Sequence, residues 1–357
     1  MTTQLKNILT DLDGDFNAVL INILSYEEKM KPREKLMTLE PSRTQTARIE
    51  LEMVRFVNER KLKPDTAEYN HLIATSEDFR TGLKAMFYQS ALNKNELSQY
   101  IWSKRKAVSD GIMHLKYAMS NNSLSLCMMQ MRGIFEQIAD FVVVDENTKN
   151  SLSPTDSIQE NIVKIDDISA VIHQHMLATR IDWENYMSKA TKGSKKKSYK
   201  PEEGFQSVEA KSVLNSIDIL EKKIKGVRRA YEFLCEFTHP NIGTYLSCRI
   251  SKKVVDKNSP LMFIETNLGT EISKEGIEFL SLPIVGSFQL FAECLFEFEK
   301  SAVSLKKLEL KIRNHTISST KRNLKNFPEV WNKNEPCFCL SGKNIGSCCG
   351  RKLRTKN

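Results

Sequence analysis

The sequence predicts a mainly α-helical fold, and three observations lead to this prediction. Apolar residues recur at intervals of three, four or seven along several long segments, as one face of an amphipathic helix requires. Strands and helices do not alternate along the chain, which argues against a doubly wound sheet. The chain has 357 residues, 40% of them hydrophobic and 27% charged, which is typical of a globular protein with a buried core.

Two adjacent segments show the helical period most clearly. The first covers residues 97–119 and the second covers 124–142, and both carry an apolar stripe. Between them, "SNNS" at 120–123 is predicted to break the helix. Helical patterns also occur at about 2–24, 43–62 and 156–188, less cleanly in the first and last of these segments.

Two later helices are predicted from the same period. One runs from about residue 207 to 238 and ends before Pro240, because proline forces the preceding residue out of helical geometry. The other runs from 277 to 311, and a bend is predicted at Pro283.

Two further stretches differ from this pattern. Residues 189–204 lack apolar periodicity and carry many lysines, so we interpret them as an exposed basic loop. Residues 244–250 and 260–266 have strand-like composition around a turn, which predicts a β-hairpin near 244–266. In the resulting organisation, a helical domain covers 1–312, with an N-terminal subdomain at 1–90. A basic linker follows at 313–333, and a small separate module occupies 334–351.

The net charge of +9 is concentrated at the C-terminal end. Residues 306–357 contain thirteen Lys and Arg but three acidic residues, whereas the first 305 residues contain 40 basic and 41 acidic side chains. Such an asymmetry favours an acidic partner for the C-terminal segment, either nucleic acid or an acidic protein surface. The alternative is a solvated basic tail that serves only solubility.

Four of the eight cysteines lie within this basic segment, in the stretch "NEPCFCLSGKNIGSCCG". Cys337 and Cys339 form one pair, and Cys348 and Cys349 form a second pair after eight intervening residues. Four thiolates at this spacing suit a tetrahedral zinc site, and such a short segment needs the metal to fold. A redox role is less favoured, because Cys-x-x-Cys at a helix start is absent here.

The same stretch resembles the SEC-C motif, a small zinc module at the end of the bacterial preprotein translocase motor subunit and on many uncharacterised bacterial proteins. The resemblance covers about 18 residues and departs from the family at Leu340, where glycine is usual. The matching positions are Asn334, Glu335, Pro336, Cys337, Cys339, Ser341, Gly342, Lys343, Ile345, Cys348, Cys349 and Gly350.

The resemblance implies a zinc-stabilised docking surface, since in the translocase the module contacts a chaperone partner and the ribosome. The chemistry of the ligands agrees with this role. All four predicted ligand positions are cysteines, which leaves no open coordination position for an activated water.

Three polar residues in the helical body are candidate catalytic residues: Arg132, Glu136 and His239. Arg132 and Glu136 lie one turn apart on the Met-rich second helix, and His239 ends a later helix. Arg preceding Glu by four is the less favourable order for a surface pair, so other elements are expected to hold this pair. The chemical interpretation makes His239 a general acid or base beside Arg132. The favoured interpretation is a satisfied polar cluster that fixes helix packing.

The "R-x-x-x-E" pattern, with a later helix ending in His-Pro, resembles uncharacterised bacterial helical families, some of them grouped with HEPN-type domains. Nucleases of that superfamily carry Arg and His separated by four to six residues, over an RNA phosphate. Arg229 and His239 are separated by nine residues and Arg313 and His315 by one, so that spacing is absent.

The sequence therefore predicts a cytoplasmic zinc-binding interaction protein rather than an enzyme. Its basic C-terminal module is expected to dock on RNA, DNA, the ribosome or an acidic protein, with the helical body as a second interaction or effector surface and no membrane partner. The cytoplasmic assignment follows from the short, interrupted apolar run near the start and the acidic residues before it, and reduced cysteines or metal ligands are expected in that compartment. The alternative is a metal-independent ribonuclease of the toxin or phage-defence type, targeted by the zinc module. The oligomeric state leaves no signal in the sequence.

Overall fold

The protein is described here from a computed structural model, and its described part is mainly α-helical, as the sequence predicts. Predicted features at 43–62 and 189–204 lie outside the described residues. The described residues are 4–31, 77–152, 158–177, 212–239, 249–256, 263–268, 274–326, 333–334 and 343–348.

The described residues contain eight α-helices and two strands, besides a 3₁₀ turn near the C-terminal end. The helices are Gln4–Leu12 (α1), Phe16–Met30 (α2), Glu77–Ser120 (α3), Leu124–Thr148 (α4), Ile158–Leu177 (α5), Val213–Lys223 (α6), Val227–Cys235 (α7) and Lys274–Asn326 (α8). The strands are Arg249–Asp256 (β1) and Phe263–Leu268 (β2), which pair antiparallel with Lys253 opposite Glu265. Residues 244–248, the start of the first predicted strand, lie outside the described residues.

The chain divides into two compact units. Helices α3, α4 and α8 contribute residues to both. The first unit comprises Met1–Glu34, Trp102–Val143 and Lys211–Ala302. The second comprises Lys35–Ile101, Val144–Ala210 and Val303–Asn357.

Aromatic side chains of α8 form the core of the first unit. Phe288 meets Phe16 of α2 edge-on, with ring centroids 5.1 Å apart. Two further rings of α8 pack on α4, and Phe298 lies 4.4 Å from Phe141 between centroids. All of these rings are fully buried, so the helices are held by apolar burial and ring packing.

Helices α3 and α4 approach each other closely in the first unit. A Cβ atom on Gly111 of α3 would lie 2.6 Å from Cγ1 of Ile134 on α4, so only glycine fits there without movement. The predicted break at 120–123 is confirmed, since α3 ends at Ser120 and α4 begins at Leu124. Asn122 has a φ of 54° and its side-chain oxygen accepts a hydrogen bond from the Leu5 amide, at 3.0 Å.

The single helix predicted from about 207 to 238 is wrong. Residues 224–226 separate α6 from α7, and Gly226 has a φ of 96°, in the left-handed region that favours glycine. The carboxylate of Glu221 accepts the backbone N–H groups of Gly226 and Arg228, at 3.2 and 2.9 Å. The apolar period continues without interruption, but the chain still breaks here. Gly226 adopts the left-handed conformation, and Glu221 accepts hydrogen bonds from backbone N–H groups at the start of α7.

The second unit has its own buried face. Leu305, Leu308 and Ile312 of α8 are buried, as are apolar residues of α3 and α5. The hydroxyl of Ser169 on α5 donates to the carboxylate of Glu96 on α3. Helix α8 continues to Asn326, so residues 313–326 of the predicted linker are helical.

Helix α8 passes through Pro283, whose carbonyl accepts a hydrogen bond from the Ser287 hydroxyl at 2.6 Å. The bend predicted at this proline stays a prediction. Within the described residues, the stretch Leu280–Asn314 is long and apolar enough to cross a membrane by length and composition. Of its most apolar part, 44% is buried inside the protein. Core helices of soluble proteins reach the same length and apolar composition, so these two properties alone do not identify a membrane span.

Candidate functional site

The first candidate site joins α4 and α7 in the first unit. Arg132 and Glu136 of α4 lie one helical turn apart, with 3.2 Å between Arg132 Nη2 and Glu136 Oε1. Their side chains are 26% and 30% exposed, so the pair lies at the edge of the core. Tyr231 of α7 is almost fully buried beside them.

Tyr231 and Thr238 hold the pair from the α7 side. The Tyr231 hydroxyl donates to Glu136 Oε1 at 2.7 Å and accepts from Arg132 Nη2 at 3.5 Å. Arg132 Nη1 donates to Thr238 Oγ1 at 2.8 Å, and that hydroxyl donates to the Cys235 carbonyl at 2.9 Å. We call Arg132, Glu136, Tyr231 and Thr238 the arginine cluster. It ties α4 to the C-terminal end of α7.

The electrostatics of the arginine cluster favour a neutral tyrosine beside a charged pair. Burial, with a hydrogen bond to Glu136, raises the pKa of Tyr231 to about 12. Burial also raises the pKa of the neighbouring Cys235 thiol. For Arg132, burial lowers the guanidinium pKa, but the hydrogen bond with Tyr231 and the charge of Glu136 raise it by more, so the net shift of the pKa is upward. Neither Tyr231 nor Cys235 is therefore an activated nucleophile near neutral pH.

His239 follows Thr238 directly and is exposed. The structure brings Arg132 and Glu136 together and anchors Arg132 on the turn that ends in His239. Tyr231 and Thr238 were missed as site residues. Tyr231 fits the apolar period of its helix and so was interpreted as core, and a threonine in a turn carries no signal of its partner.

The arrangement engages both terminal nitrogens of Arg132 within the protein. Its Nε is buried and has no hydrogen-bond partner among the described residues. A guanidinium held at Nη1 and Nη2 serves first as a cross-link between helices. The contacts of Arg132 and Glu136 are those of a packing cluster, whereas the buried Nε of Arg132 departs from the fully satisfied cluster that the sequence predicts.

The second candidate site is the C-terminal cysteine segment of the second unit. Cys348 is the one predicted zinc ligand within the described residues, and it is half-buried, whereas Cys337, Cys339 and Cys349 lie outside them. No group of three or more His, Cys, Asp or Glu residues in the described part is placed to hold a metal, but that part contains a quarter of the predicted ligand set. The zinc site stays a prediction.

The described residues around Cys348 form a short turn. Ile345–Ser347 form a 3₁₀ turn, and the Cys348 amide donates to the Ile345 carbonyl at 3.2 Å. The Gly346 amide donates a hydrogen bond to the Lys333 carbonyl at 3.0 Å. This bond joins a residue that precedes the first cysteine pair to the turn that precedes the second cysteine pair. Ile345 is buried. The four thiols of the segment are a donor set that suits tetrahedral zinc, and the described contacts concern the turn around Cys348 alone.

No protein-family model, curated protein or solved structure matches this chain. The functional argument therefore relies on the residues themselves.

Proposed function

We propose that this chain is a zinc-binding interaction protein of the cytoplasm. Its basic C-terminal module docks on a polyanionic partner: nucleic acid, the ribosome or an acidic protein. The single observation that carries the proposal is the charge distribution. All of the excess positive charge lies in residues 306–357, around the four cysteines.

Cys337, Cys339, Cys348 and Cys349 would hold the zinc. Bound there, the metal supplies folding free energy to a segment too short to bury a core of its own. The backbone hydrogen bond between Lys333 and Gly346 supports this role, because these two residues flank the first cysteine pair in the sequence. Four thiolates leave no position for a reactive water, so the module acts as a rigid basic surface.

Contact with nucleic acid would be made mainly to phosphates. The segment from 306 carries thirteen Lys and Arg without a repeated aromatic pattern for stacking on bases. Binding of this kind releases counterions and weakens steeply with added salt.

Anisotropy with a labelled single-stranded RNA tests the proposal on the full-length, zinc-loaded protein. We expect affinity to fall at least about tenfold between 50 and 200 mM salt. Removing two cations of the segment, with Arg351→Gln and Lys352→Gln, is expected to weaken binding and reduce the salt slope. The matched control removes Lys31 and Lys116, which are 50% and 61% exposed outside the segment, and is expected to leave binding unchanged. Absence of salt-dependent binding to RNA, DNA and ribosomes would leave an acidic protein as the partner.

A ribonuclease of the toxin or phage-defence type is the second candidate, supported by the position of His239. The exposed histidine follows Thr238, which Arg132 contacts at 2.8 Å, so a cation and an imidazole share one end of α7. Expression in bacteria separates this candidate from the first. A nuclease should arrest growth and His239→Ala should relieve the arrest, whereas a wild-type protein without effect on growth would eliminate it.

A further inference from the structure

One face of α8 in the second unit presents apolar residues to solvent. Val303 is 55% exposed and Leu310 is 45% exposed, and they lie seven residues apart. Leu305, Leu308 and Ile312 are buried on the opposite side of the same helix. The core of the unit therefore does not use Val303 or Leu310.

The seven-residue spacing continues along α8. Counting on from Leu310, the next two positions of the row are Ile317 and Leu324, both within the helix that ends at Asn326. Seven residues are close to two helical turns, so the four positions form one row along the helix. We call Val303 and Leu310 the outer row; positions 317 and 324 continue it along the helix backbone.

Cations flank the outer row where side chains are described. Seven residues between 303 and 314 are exposed; four of them are Lys or Arg and none is acidic. Glu309 is buried and its carboxylate contacts Lys306 Nζ at 2.9 Å. The seven are Val303, Lys306, Lys307, Leu310, Lys311, Arg313 and Asn314.

We propose that this face docks an α-helix of a partner protein, one whose apolar row is flanked by acidic residues. Residues seven apart occupy one position of a heptad, along which a partner helix can lie, and this position drifts by about 20° per heptad around a straight helix. A partner helix that follows the drift winds left-handed around α8. The carboxylates of the partner helix then lie close to the lysines and arginine that border the outer row. This charge complementarity is the reason why we expect the partner helix to be acidic.

Other occupants fit the face less well. A second copy of this helix would place Lys and Arg opposite Lys and Arg, which is destabilising. A single row is narrower than the apolar face with which helices lie in a bilayer surface. RNA gains nothing from exposed Val and Leu, which do not stack on bases. The docking face deepens the proposed function and rests on it, because its four cations belong to the basic segment 306–357, but it contains none of the predicted zinc ligands.

Binding of a synthetic acidic helix to the full-length protein tests the inference. The probe is a peptide of about four heptads with leucine at the seam positions and glutamate beside them. We expect saturable binding by anisotropy. The double variant Val303→Gln, Leu310→Gln should weaken it at least about tenfold, because two apolar side chains no longer become buried.

The matched control carries Ile21→Gln and Met113→Gln, which change residues 59% and 45% exposed in the first unit. It should bind as the wild type does. The variant with Cys348→Ser and Cys349→Ser should also keep peptide binding, which separates failure of this face from failure of the zinc module.

Several results would overturn the inference. One is no binding, or equal binding by the Val303→Gln, Leu310→Gln variant; another is equal affinity for a peptide of the same composition in scrambled order. The inference also fails if that variant instead loses self-association in sedimentation. Loss of binding to single-stranded RNA, or to vesicles of phosphatidylcholine with phosphatidylserine, would assign the face to those partners.

Discussion

Arg132 is the side chain through which α4 is tied to the end of α7. Its two terminal nitrogens reach Glu136, Tyr231 and Thr238, at distances between 2.8 and 3.5 Å. A partly buried guanidinium with several acceptors stabilises by more than an exposed ion pair does, because its loss leaves the acceptors without their donor.

Replacing this guanidinium should therefore destabilise the protein. We predict that Arg132→Met lowers the free energy of unfolding by about 1–3 kcal/mol, because Glu136 and Tyr231 lose their cation. Urea denaturation measures the change. Arg228→Met is the control, since Arg228 pairs with Asp218 and Glu232, which are 54% and 59% exposed, and little change is expected. Equal losses in the two variants would contradict a special role for Arg132.

Tyr231 predicts a dependence of stability on alkaline pH. Burial raises its pKa to about 12, whereas in the unfolded chain the phenol titrates near 10. Between these values the folded state keeps the proton that the unfolded state has lost, so stability falls as the pH rises. The wild type should therefore lose more unfolding free energy than Tyr231→Phe between about pH 9 and about pH 11.5. Parallel pH profiles for the two proteins would refute the shift.

Sequence reasoning reached half of the arginine cluster. Arg132 and Glu136 were identifiable because a charged pair beside an apolar stripe needs partners. Tyr231 was not identifiable as a site residue, because its ring fits the apolar period of the helix. Its hydroxyl forms the hydrogen bonds with Glu136 and Arg132. The side chains that Arg132 contacts on α7 lie about a hundred positions further along the chain. Which residues become its partners depends on how two helices pack, and local sequence patterns do not encode that packing.

The contact between α3 and α4 depends on a glycine in one helix and an isoleucine in the other. Their approach leaves no space for a Cβ at Gly111, whereas a Cβ at Gly133 of α4 would meet nothing within 4 Å. Both glycines lie inside helices, where alanine is intrinsically favoured by about 1 kcal/mol. The two positions therefore separate packing from helix propensity.

We predict opposite effects for the two alanine substitutions. Gly111→Ala should lower the unfolding free energy by about 1–3 kcal/mol, because the new methyl group collides with Ile134. Gly133→Ala should raise it by about 0.5–1 kcal/mol through helix propensity alone. Thermal or urea unfolding of both variants gives the comparison. A Gly111→Ala protein more stable than the wild type would contradict this prediction, because it would mean that α3 and α4 can move apart to accept the methyl group at no cost in stability.

Helix boundaries show where sequence patterns stop being sufficient. The break at 120–123 is predictable because four polar residues interrupt the apolar period. The break at 224–226 is not, because the apolar residues on both sides keep the period of one helix. This break is visible only in the structure. Gly226 has a positive φ, and the Glu221 carboxylate accepts hydrogen bonds from the amides of Gly226 and Arg228.

The whole chain combines a nearly neutral helical body with a strongly basic end. The mainly α-helical fold was predictable, because long amphipathic segments supply most of the chain. The division into two units was not, since three helices contribute residues to both and no linker composition marks the boundaries. The cysteine spacing and the charge count belong to the sequence alone, and the proposed docking function depends on both.

Zinc content tests that proposal most directly. Elemental analysis of the full-length protein is predicted to give one zinc per chain, falling to near none when Cys348 and Cys349 are both replaced by serine. The variant with Cys127→Ser, which changes a buried thiol outside the segment, should keep its zinc. A full-length protein without zinc, or a Cys348→Ser, Cys349→Ser variant that retains it, would contradict the zinc module.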